Sequence, residues 1–174
     1  MAGITAASSL IAAAITALIA YLIAKRNLAH AADMAALERA ARLAEQDRTQ
    51  RRDAYAAYVT AAMSSFRDSS MLRVTDFASA ESWQEAAVAA RDVYNSLVVA
   101  QGIVKMEAPE SLAAHAESLR QAAMEYRLSV VASVKPGLND AKRKELQKDR
   151  EEKWAVAFKG LSTFTDAART DLKQ

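Results

Sequence analysis

Apolar positions divide this chain into two patterns. The first is a continuous run: Ile4 to Ala24 reads ITAASSLIAAAITALIAYLIA, 21 residues without a charge. The second lies further on, where apolar residues recur in steps of three and four and mark one face of a helix at a time.

As a helix the run is about 31 Å long, against a bilayer hydrocarbon core of about 30 Å. Ile4, Leu10, Ile11, Ile15, Leu18, Ile19, Leu22 and Ile23 favour insertion, each by roughly 0.3–0.6 kcal/mol, while Thr5, Ser8, Ser9 and Thr16 add little or oppose it. Residues 1–26 are therefore expected to form a transmembrane anchor with a basic flank. A cleaved leader would show a basic start, a shorter apolar stretch and a small-residue cleavage site. Here Lys25 and Arg26 follow the run directly. A buried, Ala-rich soluble helix is the other alternative.

Lys25, Arg26, Arg39 and Arg42 all lie after the run and no Lys or Arg precedes it. Basic flanks stay on the cytoplasmic side, so the expectation is an N-terminus outside and a cytoplasmic C-terminal domain. Tyr21 sits one turn before Lys25, where an interfacial aromatic belongs. Tyr21, Lys25 and Arg26 are thus the expected membrane-interface residues. Ala12, Thr16, Ala20 and Ala24 recur every four residues and offer a face on which two helices can pair closely. An Ala-rich helix also produces that spacing by composition alone.

Beyond the anchor, neither Pro nor Gly occurs between Asn27 and Leu72, so the helix is expected to continue. Met34, Leu37, Ala41 and Ala44 share a stripe. Glu45 to Asp53 (EQDRTQRRD) then has no apolar residue, which makes 27–53 a solvated juxtamembrane helix or stalk. The stripe resumes at Tyr55, Val59, Ala62 and Phe66, in a helix over about 54–72.

A second helix, about 82–107, is expected to start at Ser82-Trp83-Gln84-Glu85, which has capping-box spacing. Its stripe is Trp83, Ala86, Ala90, Val93, Leu97, Ala100 and Val104. Pro109 suits the first position of a third helix, about 109–134, with Glu110 favourable at its positive end. Leu112, Ala116, Leu119, Ala123, Tyr126 and Val130 form its stripe, and Pro136-Gly137 closes it. The fourth helix, about 139–173, begins near Asn139. Ten of the twelve residues from Lys142 to Lys153 are charged and Leu146 is the one apolar residue, so this half has no obvious apolar partner and the pattern leaves open whether it projects from the bundle. Opposite charges at i,i+4, as in Lys148–Glu152, support an exposed helix there. Trp154, Ala157, Leu161, Phe164, Ala168 and Leu172 restore the stripe.

The expected fold class is all-α: a transmembrane helix continuing into an antiparallel four-helix, coiled-coil-like bundle over 54–174. Trp83, Trp154, Tyr55, Phe66, Tyr126 and Phe164 would be its large core residues. Composition agrees, because Gly occurs four times and Pro twice, which leaves little material for hairpins.

Charge and chemistry narrow the function classes. The 23 basic residues are interleaved with 21 acidic ones, unlike the concentrated basic face of a nucleic-acid binder. With no cysteine, disulfides, thiolate metal sites and thiol catalysis are excluded. His30 and His115 lack the Glu-x-x-His partners of a di-iron bundle. No Gly-rich phosphate loop or nucleophile elbow occurs. The expectation is no enzyme, no cofactor, no metal, no nucleic acid and no small-molecule substrate. Two basic clusters, Arg48 with Arg51-Arg52 and Lys142-Arg143-Lys144, read as solvated faces, with anionic headgroups or an acidic partner as the functional alternative.

The stretch Arg51-Arg52-Asp53-Ala54-Tyr55-Ala56-Ala57-Tyr58, after an Ala/Glu/Arg-rich helix, resembles a segment of single-pass, membrane-anchored helical proteins of high-GC bacteria. It covers under a tenth of the chain, and the group has no assigned activity to carry over. The topology is also similar to that of the ATP synthase b subunit. Pro109, Pro136 and the aromatic positions depart from that subunit's single stalk helix. The expected function is a non-enzymatic, membrane-tethered interaction or scaffold protein whose partners are the lipid bilayer and a protein or a second copy. The alternatives are a small membrane-active phage, toxin or defence protein acting through an oligomerising helix, and a signal-anchored extracytoplasmic linker or sensor.

Overall fold

The computed structural model describes residues 2–73, 77 and 79–173, with side chains from Thr16 onward. Four helices follow in order: α1 (Ala2–Leu72), α2 (Ala80–Glu107), α3 (Glu110–Ser133) and α4 (Asp140–Asp171). No strand occurs among the described residues, and the fold class is all-α. Two compact units result, Met1–Asp47 and Arg48–Gln174.

In the first unit the described side chains are exposed, with Ala35 alone half-buried. Leu28, Met34, Leu37 and Leu43 are all exposed, so none of the described residues covers the Met34–Ala44 stripe. Helix here rests on backbone hydrogen bonds and Ala propensity rather than on packing.

In the second unit the last turns of α1 pack with α2, α3 and α4 into an up-down bundle. Side-chain contacts fix the register. The Trp83 indole at the start of α2 donates to the Val131 carbonyl at the end of α3 (3.1 Å), while Gln101 and Lys105 near the end of α2 reach Glu117 near the start of α3. α2 and α3 therefore run antiparallel. Lys153 meets Glu125 and Gly160 packs on Leu119, which makes α3 and α4 antiparallel too. α1 runs alongside α3 and opposite to α4, since Tyr58 donates to Ala116, Ser70 pairs with Tyr126, and Phe66 touches Trp154.

The core is aromatic at its centre and small at its seams. Tyr58, Tyr126 and Phe164 are fully buried, with Leu97, Leu112, Leu119, Val104 and Val130 around them. Phe164 meets both Tyr55 and Tyr58 edge-on, and Phe66 meets Tyr126 and Trp154 likewise, the arrangement that aromatic quadrupoles favour. Ala62, Ala116, Ala123 and Ala157 at the helix contacts leave room for these rings.

Four details differ from the sequence reading or complete it. α2 starts at Ala80 and not at Ser82, because Ser79 is its cap: the Ser79 hydroxyl accepts from Ser82 N (3.1 Å) and Ser82 Oγ accepts from Ser79 N (3.3 Å). The reciprocal box thus forms one turn earlier, with serine in the role usually given to Glu. Pro109 is the cap of α3 rather than its first helical residue. Trp83 and Trp154 are only half-buried, and Tyr58 and Tyr94 take the deep positions instead.

The fourth detail concerns the charged half of α4, whose projection the sequence left open and which packs against the bundle. Leu146, Arg150 and Lys153 fall on one face at spacings of four and three and are half-buried. Arg150 donates to Ser133 Oγ (3.3 Å) and Lys153 to Glu125 (2.9 Å) on α3. Long cationic side chains cover apolar surface with their stems while their heads reach polar partners. Asn139 caps this helix by accepting from Lys142 N (2.8 Å).

Candidate functional site

Two surfaces hold the residues of functional interest, the apolar segment of α1 and the polar seams of the bundle. On the first, Leu18, Ile19, Leu22 and Ile23 are exposed by 59%, 52%, 55% and 56%, and Tyr21 by 62%. Leu18, Ile19, Leu22 and Ile23 lie at i, i+1, i+4 and i+5 and share one broad helix face of about 140°, while Thr16, Ala20 and Ala24 lie on the other side.

Tyr21, Lys25 and Arg26 follow each other on the exposed helix surface. Of the small-residue face, Thr16, Ala20 and Ala24 are exposed at successive turns, while the Ala12 side chain lies outside the described residues. Ile4 to Ile15, the first half and more of the apolar run, likewise lie outside the described side chains. Among the described residues no helix is long and apolar enough to cross a membrane.

The first basic cluster is partly used for structure. Arg51 Nη1 lies 3.4 Å from Asp171 Oδ2, which also accepts from the Tyr55 hydroxyl at 2.8 Å. This joins the start of the bundle portion of α1 to the end of α4. Arg52 pairs loosely with Asp53 at 3.8 Å.

A polar clasp that the sequence reading missed joins α2 to α3. Glu117 accepts from Arg120, from Lys105 (2.7 Å) and from Gln101 (2.6 Å), and Arg120 in turn donates to the Tyr94 hydroxyl (2.8 Å). These donors, Arg120 first, hold the Glu117 carboxyl down at about 2. Beneath it, burial pushes the Tyr58 phenol well above its ordinary value, and its hydroxyl donates to the Ala116 carbonyl. The clasp borders an open surface groove lined also by Ala108, Glu110, Ala113 and Ala114, and it holds no nucleophile, so its chemistry is that of an interhelical tie. Only the i,i+3 relation of Glu117 and Arg120 was visible in the sequence.

His30 and His115 are exposed. Among the described residues no three His, Cys, Asp or Glu side chains converge as a metal site. The second basic cluster divides: Lys142 binds Glu145 (2.9 Å), while Arg143 faces a cavity with Arg73 and Arg150.

Comparison with protein-family models, with curated proteins and with solved structures finds no match for this chain.

Proposed function

We propose that this chain is a membrane-tethered helical interaction module, anchored by Ile4–Ala24 with its bundle on the cytoplasmic side. One observation carries the reading: Leu18, Ile19, Leu22 and Ile23 are each more than half exposed, on a stretch that has no charged residue. Exposed in water, such a surface is unfavourable at roughly 25 cal/mol per Å2; in lipid it is at home. Lys25 and Arg26 follow at once and suit a cytoplasmic headgroup layer. The bundle beyond holds ties and packing but no assembled nucleophile–base pair, which favours binding over catalysis.

Self-association supports the same reading. Thr16, Ala20 and Ala24 offer a close-approach face, and the exposed Met34, Leu37, Ala41 and Ala44 continue a stripe that a second copy can cover.

A reporter fused after Gln174 tests both parts. A fluorescent fusion is expected to light up in the cytoplasm and to stay with membranes through alkaline extraction, and a phosphatase fusion to be inactive. Active phosphatase would reverse the orientation. Release by alkali would remove the anchor.

A further inference from the structure

Where α1 and α3 end and α4 begins, the bundle surface forms a half-open cavity of about 470 Å3. Four cations line it, Arg73, Lys135, Arg143 and Arg150, together with the neutral polar groups of Ser133 and Gln147. No carboxylate is among the lining residues that the structure describes. The four cations come from three separate parts of the chain, and folding brings them together.

Ordinary helix electrostatics account for half of this cluster. Arg73 directly follows α1 and Lys135 lies just past α3, where cations complement the negative helix end. Arg143 and Arg150 are different. Arg143 lies in the first turn of α4, the positive end, where a cation is disfavoured. The nearby Glu145 carboxylate is engaged by Lys142 rather than by Arg143.

Arg150 is the more telling of the two. Its Nη1 donates to Ser133 Oγ at 3.3 Å, but its Nε is buried and has no hydrogen-bond partner. Buried donors are satisfied as a rule, so one left over on a charged group calls for a reason. The guanidinium is also disfavoured by burial first and by the Arg73 charge second. Arg73 and Arg150 thus face each other as like charges across the cavity, and an anion between them relieves the repulsion.

We propose that this cavity is a binding site for a small, multiply charged oxyanion of the phosphate class. Planar guanidinium forks match phosphate oxygens in pairs, and Lys135 adds a point charge. The volume lies within the range of small-molecule sites, roughly 300–1,000 Å3, and exceeds what a single orthophosphate fills. A compound bearing at least two phosphate groups fits the number of cations. This reading is independent of the membrane anchor and departs from the expectation that the protein takes no small molecule.

The test uses the full chain in neutral detergent, titrated calorimetrically with inorganic pyrophosphate. Saturable binding at one site per chain is expected. Arg150→Gln and, separately, Arg143→Gln are each expected to weaken it about tenfold or more, the loss of one charge-assisted contact. Lys148→Gln, at an exposed residue 4.0 Å from Glu152, leaves it unchanged. Arg150→Gln also removes a half-buried cation that burial and the Arg73 charge disfavour, so its melting temperature without pyrophosphate is expected to match or exceed that of the parent. Reconstitution into vesicles with and without inositol-phosphate headgroups separates two sources of the ligand. Competition by the headgroup assigns the site to lipid, and unchanged pyrophosphate binding assigns it to a free phosphate compound. Absence of saturable binding, or Arg143→Gln and Arg150→Gln both binding as the parent does, would overturn the proposal.

Discussion

One helix of this protein is built in two ways. From Thr16 to Asp47, α1 exposes its leucines, isoleucines and methionine. From Ala54 to Leu72 the same helix hides Tyr55, Tyr58, Ala62 and Phe66 completely or nearly so. Both stretches are rich in alanine and lack Gly and Pro, so propensity alone does not distinguish them. What differs is the partner. The second stretch has three helices to pack against, and its aromatic residues face them while Met63 and Met71 stay exposed. In the Leu18–Ile23 segment the large aliphatic residues also share one broad face, but that face is exposed.

This contrast is broken most severely through the core. Phe164→Ala removes the ring that meets Tyr55 and Tyr58 and is expected to destabilise the bundle by about 3–5 kcal/mol. Leu37→Ala, in the exposed stretch, is expected to stay within about 0.5 kcal/mol. Denaturant unfolding of the detergent-solubilised full chain compares them. A large, concentration-dependent effect of Leu37→Ala would show that a second copy covers the stripe.

The Glu117 clasp comes next. Its carboxyl is lowered from 4.5 to about 2 in the folded protein. A depressed carboxyl contributes stability that is fully present above about pH 4.5 and is lost as the pH falls toward 2. Because Glu117 is 40% exposed, solvent screening reduces the contribution to about 1 kcal/mol. Acid unfolding of Glu117→Gln is expected to be correspondingly flatter between pH 4.5 and 2, while its effect stays confined to the α2–α3 seam.

The smallest change improves the bundle. A Cβ on Gly160 would lie 3.5 Å from Leu119 Cδ1 and 3.6 Å from its Cα, ordinary contact distances. Gly160→Ala is therefore expected to stabilise α4 by about 0.5–1 kcal/mol through helix propensity, read as a higher melting temperature. A lower one would mean that α3 and α4 approach more tightly than these distances indicate.

Much of the bundle was legible because its signals are local. The stripes of α2 and α3 face the core as their spacing implies, Asn139 caps α4, and Pro109 and Pro136-Gly137 mark the connections. Misjudged features depend on neighbours remote in sequence. Ser79 outcompetes Ser82 as a cap because two serine hydroxyls can exchange hydrogen bonds, which the usual Ser-x-x-Glu pattern hides. Tyr58 lies deeper than Val59 because Phe164 and the Ala116 carbonyl receive it. The acidic and basic run of α4 looked fully solvated until Glu125 and Ser133 supplied partners for Lys153 and Arg150. The cation-lined cavity could not be read at all, since Arg73, Lys135, Arg143 and Arg150 meet only in the folded chain.

The absence of cysteine makes the central claim directly measurable, because any introduced thiol is unique. Single Ile19→Cys and Leu37→Cys variants are exposed in native membranes to a membrane-impermeant maleimide, before and after the membranes are opened. The anchored, cytoplasmic arrangement expects Ile19→Cys to stay unlabelled throughout and Leu37→Cys to label only after opening. Equal labelling of both positions would contradict it.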